Sequence, residues 1–171
     1  MLKHLVKKFN IKKIIKNSKP CFVASKTGYS FEKVGVLVDG NRFDNKTLII
    51  DKLREHQIGN VEIMFLIFKT NKNKDIGLVE YFSSSDVNLK GEITNPDVKY
   101  FCNYDFDLLI NYYDKKVPYL SLINCLSKSK FKVGFSVIKS RFNQLEIDVA
   151  LDDCETFFYE LEKYLTIIKN K

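Results

Sequence analysis

Two short segments of the chain are apolar at almost every position, and they restrict the possible fold more than any other feature. In NVEIMFLIFKT every residue from 63 to 68 is apolar, and FDLLINYY contains a second run of this kind. A strand with one face in water alternates polar and apolar residues, whereas continuous runs are typical of strands buried on both faces of a parallel sheet. We therefore expect an α/β domain with helices on both sides of a sheet.

Four further segments have the composition of strands. KVGVLVDG is aliphatic and ends in the turn pair Asp-Gly, and GLVEYFS is a candidate third strand. FKVGFSV and LEIDVAL flank the polar segment KSRFNQ, and we expect these two strands to pair as a hairpin.

Amphipathic helices are predicted between the strands. The first helix of the domain is expected to have Asp44 or Asn45 as its N-cap. The second should have Asn95 as its N-cap before Pro96, and the third should begin at Pro118. The last helix is predicted within DCETFFYELEKYLTIIKNK, with Asp152 and Glu155 at capping-box spacing. This order predicts a three-layer Rossmann-like domain with a mostly parallel sheet over residues 31–171, preceded by a basic N-terminal helical arm over residues 1–30.

The N-terminal arm has apolar side chains on two opposite helical faces. One stripe is formed by Leu2, Leu5, Val6 and Phe9, and the other by the isoleucines at 11, 14 and 15. A single straight helix would expose one stripe. The sequence therefore predicts either a break near Asn10 or one helix that lies between the body and something else.

Positive charge is concentrated in the same arm. Residues 1–30 contain eight lysines and no acid, whereas residues 31–171 contain 20 basic and 21 acidic side chains. Such a block attracts anions, and phosphate backbones bind it with release of counterions. We expect a non-enzymatic binding module that contacts a polyanion, with RNA or the ribosome as the preferred candidate. An anionic membrane surface and a protein partner are the alternatives. The candidate residues are Lys3, Lys7, Lys8, Lys12, Lys13, Lys16 and Lys19.

A second candidate site follows from the parallel sheet. Ligands of open α/β sheets bind beyond the carboxyl ends of the strands, where four polar loops are expected here. Acids and cations meeting there would suit a nucleotide or a sugar phosphate, bound by an enzyme or a sensor, although Asp39 and Asp114 also fit ordinary turn and helix-start chemistry. The candidate residues are Asp39, Asn41, Arg42, Lys69, Asp114, Lys139 and Arg141.

The sequence offers little for catalysis. It contains neither GxGxxG nor GxxxxGK[ST], and its four cysteines form no CxxC or Cys/His cluster, so no cofactor, metal or catalytic residue is predicted. His56 is expected to stabilise the end of a helix, and Asp105 and Asp107 lie at the amino-terminal end of a strand, away from the ligand edge. With no long apolar segment and no signal peptide, a cytoplasmic location is expected.

One long stretch of the chain has a recognisable likeness. GEITNPDVKYFCNYDFDLLINYYDKKVPYLSLINCLSKSKFKVGFSV, with VGVLVDG, resembles a family of uncharacterised proteins of similar length from Bacteroidota, known only as a domain of unknown function. The part FDLLINYYDKKVPYLSLINCLSKSKFKVGF is also similar to the N-terminal Rossmann-like half of heptosyltransferase-type glycosyltransferases. The second likeness implies the fold alone, because those enzymes need a further domain for the sugar nucleotide.

Overall fold

A computed structural model describes residues 2–20, 30–70 and 81–169 of the chain. The predictions for residues 21–29 of the N-terminal arm and for the first part of GLVEYFS lie outside these ranges. The described strands are β1 Lys33–Asp39, β2 Glu62–Phe68, β3 Tyr81–Phe82, β4 Leu108–Tyr112, β5 Phe131–Phe135 and β6 Leu145–Ile147. The described α-helices are α1 Leu2–Asn17, α2 Lys46–Glu55, α3 Pro96–Asn103, α4 Pro118–Leu126 and α5 Cys154–Lys169.

The six strands form one sheet in the order β3-β2-β1-β4-β5-β6, and all five neighbouring pairs are parallel. This is the strand order of Rossmann-like domains, so the predicted α/β fold is confirmed. The predicted hairpin of β5 and β6 is wrong. Val133 pairs with Leu145 in parallel register because a short 3₁₀ helix, Ser136–Ile138, and the loop after it return the chain to the other end of the sheet.

Both faces of the central strands are buried, as their continuous apolar sequence predicts. In β1, Val34, Val36 and Val38 contribute to one hydrophobic cluster and Leu37 to the other. Helices α2 and α5 cover the first face, through residues such as Leu53 and Phe157. Helices α1, α3 and α4 lie on the second face, so the domain has three layers.

The helix starts follow capping chemistry. The Asn45 side chain accepts from the Leu48 N–H at 3.0 Å, and Asn95 accepts from the Asp97 N–H at 2.9 Å. Helix α5 begins one residue later than predicted, because Asp153, and not Asp152, accepts from its first turn at the Thr156 N–H.

Helix α1 is continuous, so of the two predicted alternatives the break near Asn10 is not observed. Ile11 is fully buried against the body, and Asn10 Nδ2 donates to the carbonyl oxygen of Leu89 at 2.8 Å. Gly91, at φ +85°, lies so close that an added Cβ would stand 3.2 Å from the Ile11 nitrogen. The isoleucine stripe therefore docks α1 on the domain, while the opposite apolar stripe faces outward.

Candidate functional site

The turn after β1 is closed by its own polar side chains. Asp39 is 3% exposed and accepts from the Asn41 backbone N–H at 3.1 Å and from Asn41 Nδ2 at 2.9 Å. Asn41 Oδ1 accepts from the Thr70 N–H at 3.0 Å, which joins the ends of β1 and β2. These two candidate residues have the structural roles that Asp and Asn usually have in turns.

The charged candidates Arg42, Lys69 and Asp114, at the ends of β1, β2 and β4, form ion pairs. Arg42 donates to both Asp114 oxygens, at 2.7 and 2.8 Å, and this bidentate bond lowers the Asp114 pKa despite partial burial. Lys69 lies 2.9 Å from Asp44. The Arg42–Asp114 pair borders a cavity of about 480 Å³, which Phe43 and Asp152 also line.

The last two rim candidates, Lys139 and Arg141, lie in a different place. With α1 they form the walls of a groove of about 770 Å³, at the carboxyl ends of β4 and β5. Apolar side chains also line it: Ile15, Pro118, Ile138 and Phe142. Among its lining residues are six cations and no carboxylate, so the groove lining carries a net positive charge. The six are Lys8, Lys12, Lys16, Lys116, Lys139 and Arg141. We refer to this feature as the basic groove.

Arg141 holds the two walls of the basic groove together. Its Nη2 atom donates to the carbonyl oxygens of Lys16 at 3.0 Å and Ser18 at 2.6 Å, and to that of Ile15. The last carbonyls of a helix have no partner within the helix and carry partial negative charge, which a guanidinium stabilises. Arg141 is thus a positioning residue for α1 as well as a source of charge.

Lys139 has an unusual backbone for a residue with a side chain. It closes the 3₁₀ helix after β5 in the left-handed region, at φ 49° and ψ 58°. Left-handed conformations outside glycine cost on the order of 1–2 kcal/mol. The side chain is exposed at the groove wall.

Not all arm lysines reach the basic groove. Lys7 donates to the carbonyl oxygen of Ser84 at 2.8 Å, whereas Lys3, Lys13 and Lys19 are exposed and are not among the groove lining. Within the described ranges, none of the seven candidate lysines forms an ion pair with a carboxylate.

Some groove residues were not found from the sequence. Lys116 lies two positions after Asp114, and its place in the groove depends on α1, which no local pattern reveals. Asn124 of α4 holds the groove wall that contains Ser140. Its Nδ2 donates to Ser140 Oγ at 3.2 Å and to Asn143 Oδ1 at 3.0 Å. Asn124 is 1% exposed. In the sequence, the only sign of this role is an asparagine within the largely apolar helix segment YLSLINCL.

The other reactive side chains have structural surroundings. Burial raises the pKa of the Cys102 thiol to about 12, which makes it a poor nucleophile.

Glu55, His56 and Glu155 come together, but the Lys52 ammonium already lies against both carboxylates, at 2.7 Å from Glu55. This cluster is therefore an ion-pair network between α2 and α5.

Asp105 and Asp107 differ sharply in their surroundings. Asp107 accepts from the Lys33 N–H at 3.0 Å, from the Glu32 N–H at 3.2 Å and from Lys130 Nζ at 2.9 Å. Burial alone would raise its pKa, but these hydrogen bonds outweigh burial and lower it. Asp105 is exposed, with its carboxylate 3.5 Å from Lys130. The buried acid therefore stabilises the start of β1.

In the part of the chain that the structure describes, no helix combines the length and the apolar character needed to cross a bilayer.

The fold and the basic groove define a Rossmann-like α/β protein with a cationic cleft at the carboxyl edge of its sheet. The chain belongs to a family of unknown function, DUF6913, whose family model matches residues 3–168. The match includes both α1 and the α/β body. None of the curated proteins and none of the solved structures gives a significant match to the chain.

Proposed function

We propose that this protein is a non-enzymatic polyanion-binding module, and that the basic groove binds the phosphate backbone of RNA, on its own or in the ribosome. The observation that carries the proposal is the groove lining, in which six cations and no carboxylate surround one concave surface. Five of the six are lysines whose ammonium groups have no carboxylate partner in the described ranges, which leaves them available to phosphates.

The shape of the groove agrees with a backbone ligand. Lys8, Lys12 and Lys16 are spaced four residues apart, so they form a row along one side of α1, and Lys116 and Lys139 stand on the other wall. A strand of nucleotides lying between two rows of cations would contact both. The apolar side chains that line the groove, Phe142 among them, then offer a surface for a base.

The proposal is tested by titrating a labelled single-stranded RNA of about 20 nucleotides at several salt concentrations. If about five lysines contact phosphates, affinity should fall by about 10²-fold between about 50 and 200 mM salt. Combining Lys8→Gln, Lys12→Gln and Lys16→Gln should reduce the slope of log K against log salt by about 2.

A matched control removes the same charge elsewhere. Lys90→Gln, Lys99→Gln and Lys128→Gln change three exposed lysines that do not line the groove. Equal losses in both triple variants would mean that binding follows net charge and not the groove. No salt-dependent binding in the unchanged protein would reject the proposal.

The cavity of about 480 Å³ near Arg42 supports a second candidate function, binding of a small anionic metabolite such as a nucleotide or a sugar phosphate by an enzyme or a sensor. Its position beyond β1 and β4 is where such ligands bind in open sheets. Thermal-shift screening would reveal a ligand, and Arg42→Ala should abolish the shift.

The cellular setting is also a proposal. Within the described ranges, Cys102, Cys125 and Cys154 are free thiols, which fits a reducing, cytoplasmic compartment. Origin in Bacteroidota and the likeness to heptosyltransferase-type glycosyltransferases remain predictions from the sequence.

A further inference from the structure

Helix α1 has one apolar face that the domain does not cover. Leu2, Leu5, Val6 and Phe9 are 75%, 58%, 43% and 67% exposed. At about 100° per residue they lie within about 100° of arc, opposite the buried Ile11. We refer to these four residues as the outer face of α1. Single exposed apolar residues are ordinary, but four on one helical stripe mark a site of contact.

The charges around the outer face indicate what it contacts. Lys13 and Lys16 continue the same stripe toward the end of the helix, and Lys3 borders its start. Residues 1–30 contain no acid, so every charged side chain of α1 itself is a cation. A second copy of the chain would bring two such basic blocks together, and the phosphate backbone of RNA has no apolar partner for Leu2, Leu5 and Val6.

An anionic lipid surface matches both properties at once. Its acyl boundary accepts apolar side chains to a depth of about 5–10 Å, while lysines extend their stems and keep their ammonium groups among the lipid phosphates. We propose that α1 docks the protein on an anionic bilayer, with the outer face of α1 inserted parallel to the membrane plane. This proposal does not depend on the basic groove.

The absence of tryptophan from the chain permits a direct test. Phe9→Trp places a single indole on the outer face of α1, and Tyr159→Trp places one on α5, at a side chain 58% exposed on the other side of the sheet. With vesicles of phosphatidylcholine and phosphatidylglycerol, emission of the first should shift to the blue and that of the second should not. Pure phosphatidylcholine should produce a much smaller shift.

Flotation of the full chain with the same vesicles separates insertion from simple charge attraction. Leu5→Ser and Phe9→Ser should each weaken binding by about tenfold, and Lys13→Gln by about fivefold. All three side chains are on the surface, so folding should be retained. Leu5→Ser and Phe9→Ser should leave RNA affinity unchanged, which keeps this test distinct from that of the basic groove.

Three results would overturn the proposal. The first is no shift of Phe9→Trp emission with the anionic vesicles. The second is vesicle binding that the lysine variant weakens but the serine variants do not. The third is a dimer in sedimentation that Leu5→Ser and Phe9→Ser convert to a monomer, since a second copy would then cover the outer face of α1.

Discussion

Arg141 Nη2 donates to the carbonyl oxygen of Ser18 at 2.6 Å, although the two residues are 123 positions apart. The bond joins the end of α1 to the loop after β5. It holds the lysines of α1 beside those of the loop, so that both sets line one surface. The integrity of the basic groove thus depends on a contact between distant parts of the chain.

Arg141→Ala is expected to weaken both folding and RNA binding. The variant leaves the last α1 carbonyls without their guanidinium, which should lower the free energy of unfolding by about 1–2 kcal/mol. RNA affinity should fall more than in Lys12→Gln, because the two walls of the groove can separate. Urea denaturation and RNA titration measure the two effects.

Arg54→Ala is the control for the loss of an arginine, since Arg54 is exposed on α2 away from the groove. Hydrogen exchange in α1 should rise in Arg141→Ala and not in Arg54→Ala. Unchanged exchange and an RNA effect no larger than that of Lys12→Gln would show that Arg141 contributes only its charge.

Replacing Lys139 by glycine should separate stability from binding. Glycine adopts the left-handed backbone of this position without steric cost, so Lys139→Gly should raise the free energy of unfolding by about 1 kcal/mol. RNA affinity should fall, because one groove cation is removed. Lys139→Ala is the matched control: it removes the same charge and keeps the strained backbone. A gain of stability in the alanine variant would show that relief of the backbone is not the cause.

Asp107→Asn should destabilise the protein in a pH-dependent way. The carboxylate accepts bonds from Lys33, Glu32 and Lys130, and its pKa is lower in the folded chain than the ordinary 3.8. A lowered pKa stabilises the fold above the unfolded-state pKa, and this contribution is lost as pH falls through the folded-state value. The loss in Asp107→Asn should therefore be about 1–3 kcal/mol at pH 7 and should shrink below about pH 4.

Asp105→Asn is the matched control for this series. Its side chain is 72% exposed and lies 3.5 Å from the same lysine, so the expected effect is below about 0.5 kcal/mol at all pH values. Denaturation of both variants between pH 3 and 7 makes the comparison. A difference between wild type and Asp107→Asn that stays constant over this range would contradict the assignment.

The sheet could be predicted because strands buried on both faces have continuous apolar sequences. An uninterrupted apolar run such as that from 63 to 68 is compatible with few positions except the middle of a covered sheet. Helix starts at Asn45 and Asn95 could be predicted for a similar reason, since each cap depends on residues two or three positions away.

The direction of β6 could not be predicted, because it depends on contacts beyond the turn. KSRFNQ has the composition of a hairpin turn, but Gln144 lies beside the start of β5, where its N–H donates to the Lys132 carbonyl at 2.9 Å and its Oε1 accepts from the Lys132 N–H at 2.8 Å. The strand therefore begins again at the same end of the sheet. Composition alone gives no information on where such a turn ends.

The grouping of the candidate residues also could not be predicted, because it depends on contacts between distant parts of the chain. The sequence predicted a lysine surface and a separate polar rim, whereas the structure joins Lys139 and Arg141 to α1 and pairs Arg42 with Asp114. Both rearrangements depend on residues more than 70 positions apart. Charge counts along a chain locate an excess of lysines, but they do not reveal which surfaces the lysines share.

Ile11→Ala should show that α1 is part of the folded body. Ile11 is fully buried and belongs to the same hydrophobic cluster as Leu37 and Phe106. Truncation of a buried isoleucine costs about 2–5 kcal/mol, because transfer energy is lost and a cavity remains. We expect the variant to unfold in a single cooperative transition at a lower urea concentration than the unchanged protein. Its RNA affinity should fall only at urea concentrations at which the variant begins to unfold.

Val6→Ala is the control on the same helix, since its side chain is 43% exposed and should change stability by less than about 0.5 kcal/mol. If α1 instead opened by itself, Ile11→Ala would raise hydrogen exchange in α1 while leaving the urea midpoint of the body unchanged. That result would separate α1 from the core. The groove would then have one wall that forms only when a ligand is bound.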